Sequence, residues 1–422
     1  MEAENNYVIG FDLGKRYAQI SYVSFEGDEG DLYNIPVCLC KRNGANQWFY
    51  GEEALKFAAT GKGTLVRDLA ELVKKGEPVP VDDREMDPAD LLALFIRDSL
   101  SRMGAYEEGV GVKAMVLSVD ELSPVMLEAL KRVESAVMAD FAGVYFEAKV
   151  ESLFYYTIHQ PKELWSYQVV VLDLSDGFLK LYRVEMNHKS RPILTTIEDS
   201  VEEDIVIPEE FPSIMEKDRY LEETDEKLYR LMEQFLEGQI VTSIYLIGKD
   251  FEKEWYPKTL KLLCRNRRVF RGSNLYSKGA CLCGMEKIAP GETAKAYLYL
   301  GREKLKSDIG VVRMDQGKLV KEILIRGGAN WFEAGAQFAF LPGEDYHLPI
   351  IIEPLDHSGG RVVPVVLPQI KGRDIKSMKF LCRLSMKSEK ELRVEIEDAG
   401  MGAFYQSAGK RYEEIISLGG SL

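Results

Sequence analysis

Residues 7–24 read YVIGFDLGKRYAQISYVS, and residues 168–184 read QVVVLDLSDGFLKLYRV. In each stretch an apolar run ends at an aspartate, Asp12 or Asp173, and a second run follows after a short turn that contains Gly14 or Gly177. Two such runs around a tight glycine turn predict a β-hairpin. The sequence therefore predicts two hairpins of one design, each with a carboxylate at the end of its first strand.

Strands alternate with helices in the rest of the first 290 residues. The runs KAMVLSV (113–119) and GVYFEA (143–148) flank a helical pattern, and this order favours crossover connections and a mostly parallel sheet. The acidic stretch 195–218, with two prolines, predicts a connecting loop. The stretch 251–263 predicts a helix with Pro257 after its start.

Beyond Pro290 the helical periodicity stops, and short alternating runs punctuated by Gly and Pro take over. This pattern is typical of an all-β sandwich. We therefore expect an α/β domain over residues 1–290, in halves of about 1–165 and 166–290, and a β-rich, sandwich-like domain over residues 291–422.

The bulk composition narrows the class of protein. A formal net charge of −14 argues against general binding to nucleic acid or to anionic lipid, which both require clustered cations. The start of the chain lacks a charged and then apolar signal pattern, and no run is long enough to span a bilayer, so we expect a cytoplasmic protein.

The cysteines and histidines give no catalytic or metal motif. The pairs Cys38/Cys40 and Cys281/Cys283 lack further Cys or His partners at zinc-site spacing, so small core residues are the simpler interpretation. None of the four histidines accompanies a hydrolase or metalloprotease motif.

The two hairpins suit phosphate binding. Glycine lets backbone N–H groups approach phosphate oxygens closely, and an aspartate at each strand end can hold a hydrated magnesium ion. A cleft between two such hairpins can position a triphosphate. Asp–Gly turns are also common in β proteins, so one hairpin alone is weak evidence, and only the pair together with a third element indicates a nucleotide site.

The order of motifs over residues 7–286 resembles the ATPase domain shared by actin, hexokinase and the 70-kDa heat-shock chaperones, and most of all the DnaK-type chaperones. The two hairpins resemble its phosphate loops, GEEALKFAATGKGTLV its GxxA helix entry, IYLIGKDFEKEWYPK its adenosine motif and SKGACLCG its closing helix. The resemblance implies an actin-like ATPase fold with two ribonuclease-H-like halves. It also implies Mg-ATP or Mg-ADP as the ligand and a C-terminal domain that binds a protein or peptide partner.

Carried over residue by residue, the resemblance makes Asp12 and Asp173 the magnesium-shell acids, which hold the ion through water. Gly14 and Gly177 become the turn glycines, and Gly248 belongs to the adenosine motif. The family's water-orienting Glu or Gln matches Ala148 in this chain, and Glu147 is one position away.

Several positions depart from the family's pattern. Lys15 and Arg16 replace two threonines, and Ser175 and Asp176 replace glycines. Lys249 stands where a second glycine leaves room for adenine. The interval from Asp173 to Gly248 is shorter than in the chaperones, which implies a shortened base-covering subdomain.

Three functions remain open on the sequence. The first is a divergent, chaperone-like binding or scaffold module with weak or lost nucleotide binding, in which Lys15 and Arg16 pair with Asp12, Asp173 or Asp176 in place of magnesium and nucleotide, leaving no cofactor. The second is a working Mg-ATP-binding chaperone-type protein, at most a slow ATPase, in which Lys15 contacts phosphate. The third is a sugar or acid kinase of the same superfamily, which the β-rich tail disfavours.

Overall fold

The computed structural model divides the chain into two compact units, Met1–Tyr297 and Leu298–Leu422. The sequence pattern predicts this boundary at residue 290. The structure describes the whole chain except residues 1–6, 28, 31, 104–111, 138–142, 209–210, 273, 344–345, 371–372, 375–376, 403–404 and 420–422, together with the side chains of residues 203–204.

The first unit begins with ten strands and five helices. The strands are β1 (Tyr7–Leu13), β2 (Tyr17–Ser24), β3 (Tyr33–Pro36), β4 (Cys38–Arg42), β5 (Trp48–Tyr50), β6 (Gly63–Arg67), β7 (Val79–Val81), β8 (Arg84–Met86), β9 (Val112–Val119) and β10 (Val144–Ala148). The helices are α1 (Gly51–Ala58), α2 (Leu69–Lys75), α3 (Pro88–Ser101), α4 (Pro124–Val137) and α5 (Lys149–Ile158). These counts refer to the described residues.

Five of these strands form one sheet, in the order β3-β2-β1-β9-β10. The first three strands are antiparallel, and β9 and β10 run parallel to β1. The first predicted hairpin, β1–β2, is therefore confirmed, and so is the crossover unit of β9, α4 and β10. Strands β5-β4-β6 form a separate small sheet.

The rest of the first unit repeats this arrangement. Its strands are β11 (Gln168–Asp173), β12 (Phe178–Asn187), β13 (Ile193–Val206), β14 (Val241–Ile247) and β15 (Arg268–Gly272). Its helices are α6 (Ile214–Phe235), α7 (Pro257–Leu263), α8 (Leu275–Ile288) and α9 (Glu292–Ala296). The five strands lie in the order β13-β12-β11-β14-β15, with β11–β12–β13 antiparallel and β14 and β15 parallel to β11.

Five of the six strands of the second sheet thus repeat the order and the directions of the five strands of the first sheet. Asp12 lies near the carboxyl end of the central strand of one, and Asp173 at the same end of the central strand of the other. Ligand sites of sheets with parallel strands gather at these carboxyl ends. The repeated topology therefore puts two equivalent carboxylates at two equivalent positions.

Two local predictions were wrong. The stretch 195–218 is largely strand and helix, because residues 194–206 pair with β12. A solvent-facing strand tolerates acidic side chains, and both prolines lie outside it. The helix predicted over 251–263 begins only at Pro257, since proline fits the first turn and Asp225 accepts hydrogen bonds from the backbone of Lys258 and Thr259.

The second unit is built from strands. They are β16 (Tyr297–Tyr299), in which the chain enters this unit, β17 (Ser307–Asp315), β18 (Lys318–Ile325), β19 (Gly335–Phe340), β20 (His347–Pro354), β21 (Arg361–Val366), β22 (Phe380–Ser388), β23 (Glu391–Asp398) and β24 (Arg411–Ser417). Strands β17 to β24 form two antiparallel four-stranded sheets, β18-β17-β20-β21 and β19-β22-β23-β24. Both sheets contribute to one apolar core, for example Ile350 from β20 and Val394 from β23.

Among the described residues, none of the helices has the length and apolar character needed to cross a bilayer.

Candidate functional site

The turns of the two hairpins face each other. In the first, the Gly14 N–H donates to the carbonyl of Tyr17 at 3.1 Å. In the second turn, Gly177 has φ +84°, a backbone conformation that favours glycine. Arg16 of the first turn packs against this glycine, since a Cβ atom added to Gly177 would lie 2.8 Å from Arg16 Nη2. The two turns therefore line one cleft, the arrangement that the paired hairpins predict.

A buried lysine lies between the two turns. Lys149 is the first residue of α5, and its Nζ is 3.2 Å from Asp12 Oδ1 and 3.2 Å from Asp120 Oδ1. The side chains of Lys149 and Asp12 are each 6% exposed. Strands β1, β9 and β10 are parallel neighbours, so their carboxyl ends bring Asp12, Asp120 and Lys149 to one edge of the sheet.

A second lysine continues the pattern of alternating charges. Lys180 Nζ is 2.9 Å from Asp176 Oδ2 and 3.6 Å from Asp120 Oδ2. Asp120 therefore bridges the two lysines at the mouth of the cleft, where 41% of its side chain is exposed. We call Asp12, Lys149, Asp120, Lys180 and Asp176 the cleft charge cluster.

Burial and charge shift the pKa values of this cluster in opposite directions. Burial raises the pKa of Asp12 to about 7, although the Lys149 ammonium acts against the shift. Burial also acts on Asp120, but Lys149 and Lys180 outweigh it and lower the pKa of this carboxyl to about 2. For Lys149, burial is outweighed by Asp12 and Asp120, so its pKa lies well above the ordinary value and the ammonium stays charged.

The carboxylate oxygens of Asp173 have hydrogen-bond donors as partners, not a lysine. Its Oδ2 accepts a hydrogen bond from the Tyr276 hydroxyl at 2.6 Å, and its Oδ1 accepts one from the Ser175 N–H at 2.8 Å. Burial and the Asp173 charge raise the pKa of Tyr276 well above its ordinary value, so the hydroxyl remains a donor. Both oxygens of this carboxylate are therefore held by groups of the protein itself.

Gly248 and Lys249 close the cleft on the side of β14. Gly248 has φ +101°, and a Cβ atom there would lie 2.6 Å from the backbone nitrogen of Ser175. Lys249 Nζ lies 5.0 Å from the centre of the Tyr17 ring, a cation–π contact between the two halves. The cavity that these residues line together with Asp12 and Lys149 has a volume of about 80 Å³.

The remaining predicted residues lie elsewhere or act differently. Lys15 is exposed and makes no ion pair with any residue that the structure describes, so its expected pairing with Asp12, Asp173 or Asp176 is wrong; Lys149 pairs with Asp12 instead. Glu147 is completely buried and accepts a hydrogen bond from Ser152 rather than facing the hairpins. Burial and the neighbouring Glu151 raise the pKa of Glu147 to about 8, so this residue does not provide a carboxylate that orients water in the cleft.

Sequence reasoning missed Lys149, Asp120, Lys180 and Tyr276. A signal was present for the first two, because Asp120 directly follows β9 and Lys149 directly follows β10, at the carboxyl ends of parallel strands. Lys180 and Tyr276 carry no comparable local signal.

Comparison with known families divides the chain in nearly the same way as the structure does. A model described as the C-terminal part of a family of unknown function, DUF5716, matches residues 21–302, and one described as a domain of unknown function, DUF8552, matches residues 304–418. A search of the curated proteins found no match. The first match covers well over half of the chain, and the chain therefore belongs to the DUF5716 family.

Proposed function

We propose that residues 1–297 have an actin/DnaK-type ATPase fold that serves as a scaffold, with nucleotide binding weakened or lost. Support for the fold comes from the five strands that have the same order in both sheets, with an aspartate at the carboxyl end of the middle one, β1 or β11. Support for the loss of nucleotide comes chiefly from one observation, the buried Lys149 ammonium 3.2 Å from Asp12 and from Asp120.

The residues of the cleft do not fit a magnesium–nucleotide complex. A hydrated Mg²⁺ needs carboxylates that are open to its water shell. Asp12 instead contacts an ammonium group, and both oxygens of Asp173 already accept protein hydrogen bonds. A second cation beside Lys149 would be repelled by it, so we derive no catalytic step through magnesium or ATP.

The part of the cleft beside Asp12 and Lys149 has no room for a nucleotide in this conformation. Its cavity of about 80 Å³ is well below the roughly 300–1,000 Å³ of small-molecule sites, and the larger neighbouring cavities, of about 220 and 320 Å³, lie to either side of it, at Asp176 and Lys180 and at Arg16 and Tyr17. Gly248 packs against the second turn, and Lys249 lies over Tyr17. These contacts replace, with the protein's own groups, interactions that a nucleotide makes in the resembling ATPases.

For residues 298–422 we propose a module that binds a protein or peptide partner. Its two antiparallel sheets end in strands such as β18, where Leu319 is 72% exposed. An exposed sheet edge can bind an extended segment by backbone pairing.

The six cysteines are all free thiols, which supports the expected cytoplasmic location.

Calorimetric titration of Mg-ATP, combined with thermal melting, tests the scaffold proposal. We expect the wild-type chain to give no saturable heat with Mg-ATP and no change in its melting temperature. A ligand at about 100 times its dissociation constant adds roughly 2.7 kcal/mol of stability, so binding would raise the melting temperature measurably. Saturable binding of Mg-ATP by the wild-type chain would instead favour the ATPase or kinase functions. In that case Asp12→Asn should abolish the binding, and the exposed-site control Lys131→Ala should keep it.

A further inference from the structure

A second group of polar side chains lies buried in the first unit. It contains Glu147 at the end of β10, Glu151 in the first turn of α5 and Cys283 in α8. One carboxylate oxygen from each glutamate and the Cys283 Sγ all lie within 4.8 Å of one another. All three residues are at most 1% exposed, so no bulk water solvates them.

The packing of the two helices explains why these groups are enclosed. Helices α5 and α8 approach with their backbones in contact, because Gly279 lies directly against the carbonyl of Ser152 and leaves no room for a side chain. Interfaces of this kind are usually filled by small apolar residues. Two carboxyl groups and a thiol are costly to bury there unless a proton or a cation compensates them.

A buried carboxylate oxygen of Glu147 lacks a hydrogen-bond partner among the described residues. The Oε1 atom of Glu147 accepts a hydrogen bond from Ser152, but its Oε2 is buried without any hydrogen bond to the residues that the structure describes. Nearly all buried polar atoms in proteins have a partner, so an unpaired carboxylate oxygen beside a second carboxylate and a thiol indicates a missing ligand.

The neighbouring Cys281 provides a contrast. It is equally buried, but its thiol donates to the carbonyl of Ser21 at 3.2 Å, which accounts for it within the fold. Cys283 instead points to the two glutamates. The two cysteines of the C-x-C pair therefore have different environments.

We propose that Glu147, Glu151 and Cys283 bind a divalent transition-metal ion, and that Zn²⁺ is the ion they suit best. Thiolate sulfur and carboxylate oxygen are both zinc ligands, and thiolate disfavours Mg²⁺ and Ca²⁺. Metal binding releases the thiol proton and joins β10, α5 and α8 through one ion. The cysteine spacing alone gives no sign of this site, because its other two ligands are glutamates that are distant from Cys283 in the chain.

Metal titration of the purified, chelator-treated full chain tests this inference. We expect one Zn²⁺ per chain by calorimetry, and with Co²⁺ as the probe, a thiolate-to-metal charge-transfer absorption band. Cys283→Ser should abolish the band, while the matched Cys281→Ser variant should keep it. Glu151→Gln should weaken Zn²⁺ binding by about tenfold or more.

Three results would overturn the proposal. They are the absence of saturable Zn²⁺ binding by the wild type, Co²⁺ binding without a thiolate band, and equal metal binding by the two cysteine variants. The first two use only the wild-type chain, so they hold even if a variant fails to fold. A protonated carboxyl pair then explains the group. None of these results depends on whether the cleft binds Mg-ATP.

Discussion

The two halves of the first unit share a strand order, but their equivalent aspartates are stabilised by different chemistry. Asp12 contacts the Lys149 ammonium at 3.2 Å, whereas Asp173 accepts its hydrogen bonds from two neutral donors within the described part of the chain, Tyr276 and the Ser175 N–H. The partners lie outside the hairpin motif, except for Ser175. Topology therefore fixes where each carboxylate lies, but residues elsewhere in the chain, Lys149 after β10 and Tyr276 in α8, decide which group contacts it.

Lys149→Met should have the largest effect on this comparison. Removing one partner of a buried ion pair leaves the other charge uncompensated, and such changes cost about 3–5 kcal/mol. We expect this loss in the free energy of urea unfolding at a pH above 7, at which Asp12 and Asp120 are both ionised in the folded wild-type chain and both lose the ammonium. The exposed-site control Lys131→Met should change stability by less than about 0.5 kcal/mol. Equal stabilities of the two variants would contradict the assignment of Lys149.

The pH dependence of the free energy of unfolding tests the protonation state of Asp12. With a folded-state pKa of about 7 and an ordinary unfolded-state pKa, Asp12 keeps its proton in the folded chain after the unfolded chain has lost it. Its contribution to stability therefore falls as pH rises from about 4 to 7, by up to roughly 1.4 kcal/mol per pH unit, and is constant above that range.

Asp12→Asn should remove this slope, so the stability difference between the variant and the wild type should change between pH 4 and 7 and then level off. Asp120, with its pKa lowered to about 2, acts in a separate window: its contribution is lost only as pH falls below about 4. A difference that is independent of pH between 4 and 7 would show that Asp12 is ionised throughout.

Gly248→Ala tests the contact between β14 and the second turn. The backbone at φ +101° costs a non-glycine residue about 1–3 kcal/mol, and the added Cβ atom also clashes with the Ser175 nitrogen. Gly238 is a matched control, because it too has a positive φ, +69°, but has open space around it. Chemical denaturation should show a larger loss for Gly248→Ala than for Gly238→Ala, and equal losses would mean that the close approach is absent.

Tyr276→Phe should have the smallest effect on stability, and it tests the hydrogen bond that Asp173 accepts. The variant removes the donor to Asp173 Oδ2 and leaves a buried carboxylate oxygen without that partner, at a cost of about 1–3 kcal/mol. Tyr167→Phe, at a site that is 62% exposed, should leave the melting temperature unchanged. If both variants melt like the wild type, the hydrogen bond to Asp173 contributes nothing.

The sequence predicted local features of the first unit better than its long-range contacts. Both hairpins, their glycine turns and the crossover unit were predicted correctly, because β propensity and turn residues act over a few positions. Strand β13 was missed, since its acidic side chains indicate a loop when the pairing partner is unknown.

The cleft charge cluster could not be predicted in the same way. Asp12, Asp120 and Lys149 are far apart in the chain and meet only because their strands are parallel neighbours. The family resemblance matches Ala148 to the water-orienting residue and gives no role to the lysine directly after it. Lys15 and Arg16 were chosen because they adjoin Asp12 in sequence, but adjacency in the chain does not decide which side chain contacts that carboxylate, and Lys15 is exposed.

An electron-density map of crystals soaked with Mg-ADP shows whether the ion pair of Lys149 and Asp12 keeps nucleotide out of the cleft. We expect Lys149 Nζ to stay within about 3.2 Å of Asp12 Oδ1, with no density for metal or nucleotide between the two hairpins. Magnesium and ADP bound in that cleft, with the lysine displaced from Asp12, would contradict this expectation.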